Sequence, residues 1–239
     1  VELEGDDAML SLPPDLEPSD DVRRTFESRP VVRALRLLGE MDEDYYFRVF
    51  IFHLDDELED PQESRLLAGV AREYLNNREA VRAAKAAGYR WHVLTSDSYP
   101  IIDLPDVPYA TPETAVVHGI IRQETEFDAT AISSAGARGM MQMMPATARA
   151  TARQVGLPYH FEWLSYDADY NMRLGLYHLQ EVIDEFDGSY ILSFAGYNAG
   201  GHRSRAWMED YGDPRAAGVD PIDWIEMIPY PETRNYVQR

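Results

Sequence analysis

The stretch YPIIDLPDVPYATPE, Tyr99 to Glu113, carries four prolines in fifteen residues. Proline has no amide hydrogen and its ring clashes with the preceding turn, so no helix continues through such a segment. The residues on both sides read as helix, and no run alternates apolar and polar residues as a half-buried strand does. The class expected is all-α, with two helical bodies or layers joined at this break. We place an acidic N-terminal arm at residues 1–20, a region of helical hairpins with its Pro-rich linker at 21–108, and a second domain at 109–239.

Helix punctuation supports that division. VVRALRLLGEMDEDYYFRVFIFHLDDEL reads as two amphipathic segments broken near Gly39 to Asp42. Pro61 occupies a first-turn position, and REAVRAAKAAG ends on Gly88, a helix stop. Short helices on short turns suggest stacked hairpins, as in an α-solenoid. Beyond the linker, helices are expected from about Pro112 to Glu124 and from Pro145 to Gly156. A long one follows over DADYNMRLGLYHLQEVIDEFDG to Gly188. SYILSFAGYNAGG then ends on a glycine pair, and DPIDWIEMI starts with Pro221 in its first turn.

Composition narrows the chemistry. A formal net charge of −20 disfavours nucleic acid, whose phosphates require Lys and Arg, and anionic lipid surfaces equally. A neutral polysaccharide is compatible with it. The absence of cysteine removes disulfides, thiolate zinc sites and thiol nucleophiles. No apolar run approaches the eighteen residues of a membrane span. The N-terminal sequence lacks Met and shows no signal-peptide pattern, and PETRNYVQR reads like the start of a helix. The expectation is therefore a trimmed piece of a longer protein.

Glu124 is the residue out of place. Val116, Val117, Ile120, Ile121 and Phe127 form one helix face, and Glu124 lies on it, four residues after Ile120 and three before Phe127. Desolvation raises a carboxyl pKa, and a carboxylic acid that keeps its proton near neutral pH can protonate a leaving oxygen. The residues alone leave two alternatives open, a buried Glu paired with an Arg and a Glu turned to water.

Two further stretches bear on chemistry. Ala129 to Gly139 is a loop of small residues with Gly136 and Gly139, able to bring backbone amides and the Ser133 hydroxyl close to a ligand. GMMQMMP then sets Gln142, whose amide needs partners, among Met140, Met141, Met143 and Met144. GYNAGG closes an apolar helix with Tyr197, able to stack on a sugar ring and offer its hydroxyl, and with Asn198, able to tie a loop. A plain helix cap explains GYNAGG equally well.

RQETEFDATAISSAGARGMMQMMPATA, with GYNAGG and IEMIPYPETRNYV downstream, resembles the soluble lytic transglycosylase domain. Its pattern is a Glu-Ser opening, a Gly-Leu-Met-Gln stretch, an Ala-Tyr-Asn-Ala-Gly stretch and a Pro-x-x-Glu-Thr-Arg-x-Tyr segment. The resemblance spans roughly Tyr109 to Arg239. It implies a lysozyme-like fold, and, for the helices before it, the superhelix that precedes this domain in larger members. Carried over, the catalytic acid falls on Glu124, and substrate contacts on Ser133, Gln142, Met144, Tyr197 and Glu232. Thr125 stands where Ser is usual, Ala129 where Pro is common, Met140 where Leu is usual and Gly196 where Ala is usual.

The resemblance further implies a substrate, peptidoglycan glycan strands, and no metal or other cofactor. Cleavage falls between N-acetylmuramic acid and N-acetylglucosamine. The muramoyl acetamido group assists, and the 6-hydroxyl closes to a 1,6-anhydro end. It implies a periplasmic or cell-envelope setting, with protein partners reached through the helices of residues 21–108. Those helices are expected to be dispensable for the chemistry. A goose-type lysozyme-like hydrolase and a non-catalytic peptidoglycan-binding module are the alternatives. For Tyr197, a hydroxyl bond to Glu124 and one to the sugar both stand open.

Overall fold

A computed structural model describes residues 16–75 and 77–239, and the chain divides into two compact units between Ile102 and Asp103. Most of the expected N-terminal arm therefore lies outside the described residues. Its end is earlier than expected, because Ser19 caps a helix that already begins at Asp20.

The first unit consists of α1 (Asp20–Ser28), α2 (Pro30–Glu40), α3 (Asp44–Glu57), α4 (Pro61–Tyr74), α5 (Asn77–Tyr89) and α6 (Thr95–Ser98). Prolines open α2 and α4 where no amide hydrogen is needed, and the Asp60 carboxylate accepts from Gln62 N at 2.8 Å. Phe26, Leu35, Phe47, Leu54 and Leu67 are fully buried in one core. Four acids are buried beside it, each met by arginine: Asp55 by Arg90, Glu63 by Arg29, Glu79 by Arg48, and Asp97 by Arg65 and Arg72. Pairing is what makes a buried carboxylate tolerable.

Gly88 is not the stop expected of it. The helix α5 runs on to Tyr89, and the left-handed position falls on Trp91, φ 67°. His92 N bonding Ala87 O and Trp91 N bonding Gly88 O close the end as a Schellman turn, so the break comes three residues late.

The second unit contains α7 (Thr114–Thr125), α8 (Pro145–Gln154), α9 (Trp163–Tyr166), α10 (Ala168–Glu185), α11 (Tyr190–Ala199), α12 (Gly201–Tyr211), α13 (Pro221–Glu226) and α14 (Pro231–Val237). Among the described residues there is no strand, only isolated β-bridges from Arg138 to Ile132 and to Met143. The class is all-α. The 18-residue α10 is the spine, burying Asn171, Leu174, Gly175, Leu179 and Val182 along one side.

The glycine pair at the end of α11 does more than terminate it. Gly200, φ 98°, turns the chain, and Gly201 at once begins α12, which sequence patterning did not single out. A Cβ on Gly201 would stand 2.7 Å from a Glu185 carboxylate oxygen, the movable end of a side chain at the close of α10, so glycine eases this approach without being required by it. Buried Ser204 and Trp207 then face inward, with the Ser204 hydroxyl donating to Leu192 O at 2.9 Å.

Candidate active site

The helix α7 buries Val117, Ile120 and Ile121, and the same stripe carries Glu124 to the edge of the core, where it is half-buried. Its helix ends abruptly. Glu126 (φ 54°) and Phe127 (φ 71°) are successive left-handed residues, neither of them glycine, a conformation that costs of order 1 kcal/mol or more each. Buried Phe127 and the Thr125 hydroxyl, which donates to Met140 O at 2.9 Å, hold the turn against that strain. The loop that follows is thereby folded back beside Glu124.

Glu124 pairs with no arginine and is only partly open to water. The Tyr236 hydroxyl donates to its Oε1 at 2.7 Å. Burial pushes the Glu124 carboxyl from 4.5 up to about 7; the Tyr236 bond opposes that rise, and the negative charge of Glu232 adds to it. With Oε1 accepting from Tyr236, the acid proton belongs on Oε2. A carboxyl of this pKa is divided between acid and base near neutral pH, as one group serving both roles requires.

Tyr236 is the residue in contact with the candidate acid that sequence reasoning missed. The signal was present, because Tyr236 follows Glu232 by four residues in α14, which puts both on one helix face. Glu232 itself is exposed, and its influence on Glu124 is that of a nearby charge. Asn198 explains how α14 is held: its Oδ1 accepts from the buried Thr233 hydroxyl at 2.7 Å, joining α11 to α14.

For Tyr197 one of the two open alternatives falls away. Its hydroxyl donates to Met141 O at 2.8 Å, rather than to Glu124, while burial, and after it the charge of Glu124, hold its phenol well above its ordinary pKa. Its ring lies 5.5 Å from that of His178, whose pKa burial pushes down to about 4, leaving a neutral imidazole behind the site. Tyr197→Phe should then leave the pH dependence of activity in place. It should cost about 1–3 kcal/mol of stability, because the Met141 carbonyl loses its partner. Thermal unfolding and pH–rate profiles of the two proteins check both parts.

The glycine-rich loop is largely closed on itself. Ser133 Oγ accepts from Ala137 N at 3.0 Å, and a hydroxyl that accepts still has its own hydrogen to donate. Gln142, at φ 47°, donates its amide to Gly139 O at 2.9 Å and Ala131 O at 3.3 Å, which turns its remaining amide oxygen into the available acceptor. Met140, Met141 and Met143 are buried, whereas Met144 is 43% exposed. Only the last presents a soft apolar surface outward.

Asn171 of α10 organises this loop. Fully buried, it accepts from Met141 N and donates to Arg138 O and Leu164 O, all at 2.9 Å. Gly139 packs so closely that a Cβ would fall 1.9 Å from Leu164 O, and one on Gly175 would fall 2.4 Å from Met141 Sδ. Asn171→Leu should destabilise the protein by roughly 3 kcal/mol, since the buried Met141 amide and Leu164 carbonyl lose this partner and Arg138 O keeps only Met143 N. Urea unfolding measures it; a cost near zero would mean that the loop does not depend on Asn171.

Among the described residues, no cluster of His, Asp or Glu has the geometry of a metal site, and no helix is long and apolar enough to cross a membrane.

Residues 110–217 match the family model described as the Transglycosylase SLT domain. A Haemophilus influenzae relative is 41% identical over 120 residues, 50% of this chain and 19% of the relative. The soluble lytic murein transglycosylase of Escherichia coli K12 is 37% identical over 120 residues, again 50% of this chain and 18% of its own. An inactive Glu-to-Gln mutant of the lytic transglycosylase Slt from Pseudomonas aeruginosa superimposes with a TM-score of 0.72 at 30% identity, over 93% of this chain and 36% of that one. The 70 kDa soluble lytic transglycosylase of Escherichia coli gives 0.69 at 26% identity over the same shares. The chain thus spans about a third of the solved relatives' length. Residues 110–217 are thus similar to the transglycosylase SLT domain, and the chain shares its fold with lytic transglycosylases of known structure.

Proposed function

We propose that the second unit is the catalytic part of a peptidoglycan lytic transglycosylase acting in the bacterial cell envelope. The observation that carries this is the Glu124 carboxyl, desolvated to a pKa of about 7 and held by the Tyr236 hydroxyl at 2.7 Å. Glu124 protonates O4, the oxygen linking muramic acid C1 to N-acetylglucosamine C4, as the C1–O4 bond breaks. The acetamido oxygen of the same muramoyl unit bonds to C1 and carries the positive charge. The muramoyl 6-hydroxyl then displaces it at C1, giving its proton to the Glu124 carboxylate and restoring the acid. No water enters the balance.

A single acid suits this route. Ordinary glycosidases flank the bond with two carboxylates, but here Glu232, the other acid that Glu124 feels, stands exposed. The names of the relatives, which refer to murein, and the inactivity of the Pseudomonas Glu-to-Gln mutant support the assignment. Ser133, Gln142, Met144, Tyr197 and Asn198 are assigned to holding the strand or the loop that meets it. The first unit carries none of these groups and is assigned no chemistry.

Digestion of purified sacculi followed by mass spectrometry of the soluble muropeptides tests the proposal. Products lighter by one water than reducing ends are expected. Reducing ends would instead establish a lysozyme-like hydrolase, and no soluble product a binding module.

A further inference from the structure

Three large aromatic side chains stand outward within six residues: Phe161, Trp163 and Tyr166 are 40%, 44% and 79% exposed. Phe161 and Trp163 are not loosely displayed. The His160 ring lies 4.0 Å from the Trp163 ring at 32°, and Tyr170 meets Trp163 edge-on at 5.5 Å. Tyr170 is buried and fixed in turn, its hydroxyl donating to Pro158 O at 2.9 Å and accepting from His160 N at 3.1 Å. Phe161 carries the Arg138 guanidinium 4.1 Å from its ring centre.

The same segment backs the loop beside Glu124. Arg138, paired with both Ile132 and Met143, reaches across to the buried Ser165 hydroxyl at 3.0 Å. Leu164 O receives Asn171 and lies directly against Gly139. Leu164 and Ser165 therefore grip the loop, and the residues on either side of them, Trp163 and Tyr166, are the exposed aromatics. The aromatic segment and the loop holding Ser133 and Gln142 are thus tied to each other through Arg138, Leu164 and Gly139.

We propose that Trp163 and Tyr166, with Phe161, form a platform for sugar units of the glycan strand beyond those at the scissile bond. This rests on the function proposed above. Pyranose rings present axial C–H groups on one face, which match the electron-rich face of an aromatic ring. Rings already locked by His160, Tyr170 and Arg138 lose little conformational freedom on stacking. The contact is with the apolar faces of the sugar rings, which leaves the muramoyl carboxylates at the ring edges in water. Short fragments that fill only the space around Glu124 do not reach it.

The test is calorimetric binding to the Glu124→Gln protein, which is designed to hold glycan without cleaving it. The ligands are peptide-free glycan strands of a dozen or more sugars and a tetrasaccharide. Adding Trp163→Ala and Tyr166→Ala should weaken strand binding about tenfold and leave the tetrasaccharide unchanged. Tyr166→Ala alone, at a site too exposed to affect folding, should weaken strand binding about threefold. Unchanged strand affinity in both variants overturns the platform, as does an equal loss for both ligands. If the parent binds strands through these rings but the wild-type protein cleaves none, the platform stands and the proposed activity falls.

Discussion

Glu124→Gln is expected to lower turnover on sacculi by about a thousandfold or more, the scale of positioned acid–base catalysis, while making the folded protein more stable above neutral pH. The amide keeps the shape of the side chain and can still accept from Tyr236, so the change removes only the transferable proton. The stability effect follows from the sign of the shift. Burial raises the Glu124 pKa from 4.5 to about 7, so between those values the folded protein keeps a proton that the unfolded chain has released. Stability from this group is complete below pH 4.5 and declines as pH rises through 7. Gln has no such cost. Wild type and variant should unfold at similar temperatures at pH 4, and the variant should gain about 2 kcal/mol by pH 8, allowing for partial solvent screening. Wild-type turnover by the variant would remove Glu124 from the mechanism. Equal stabilities at both pH values would mean that the carboxyl is not desolvated.

Tyr236→Phe is expected to reduce the rate about tenfold to a hundredfold and to move the alkaline limb of the pH–rate profile to higher pH. A hydrogen bond to a group that becomes charged contributes about 1.5–3 kcal/mol. Here it lowers the Glu124 pKa against the effect of burial, so its loss lets that pKa rise. Glu232→Gln removes a negative charge that raises the Glu124 pKa, and should move the same limb the opposite way. Opposite displacements in the two variants, with no displacement for Tyr197→Phe, would separate the bond, the charge and the packing residue. A Tyr236→Phe profile superimposable on the wild type would show that the bond does not tune the acid.

The difference between the two tyrosines shows where sequence stops being informative. Both Tyr197 and Tyr236 lie in motif stretches of the chain. Either phenol could in principle meet Glu124, since sequence spacing carries no information on contacts more than a hundred residues apart in one case and seventy in the other. The hydroxyl that reaches Glu124 belongs to Tyr236 because Asn198 and Thr233 dock α14 on α11. Tyr197 is instead occupied by the Met141 carbonyl. Ser133 and Gln142 likewise read as groups offered to a ligand, yet much of their hydrogen-bonding capacity closes the loop, as buried backbone polar groups demand.

Local rules account for what could be read directly. The all-α class, the break in the Pro-rich stretch, the first-turn prolines and the misplaced acid at Glu124 depend on backbone sterics and on helical periodicity, which act over a few residues. Where glycine ends a helix is less local. Gly88 stays helical because the Schellman turn forms at Trp91, and Gly201 starts α12 because the chain turns at Gly200 just before it. The pKa of Glu124, the partner of its Oε1, and the joining of Arg138, Gly139 and Asn171 into one brace arise only on tertiary packing. They depend on desolvation and on hydrogen bonds between segments far apart in the chain, which no single stretch of sequence contains.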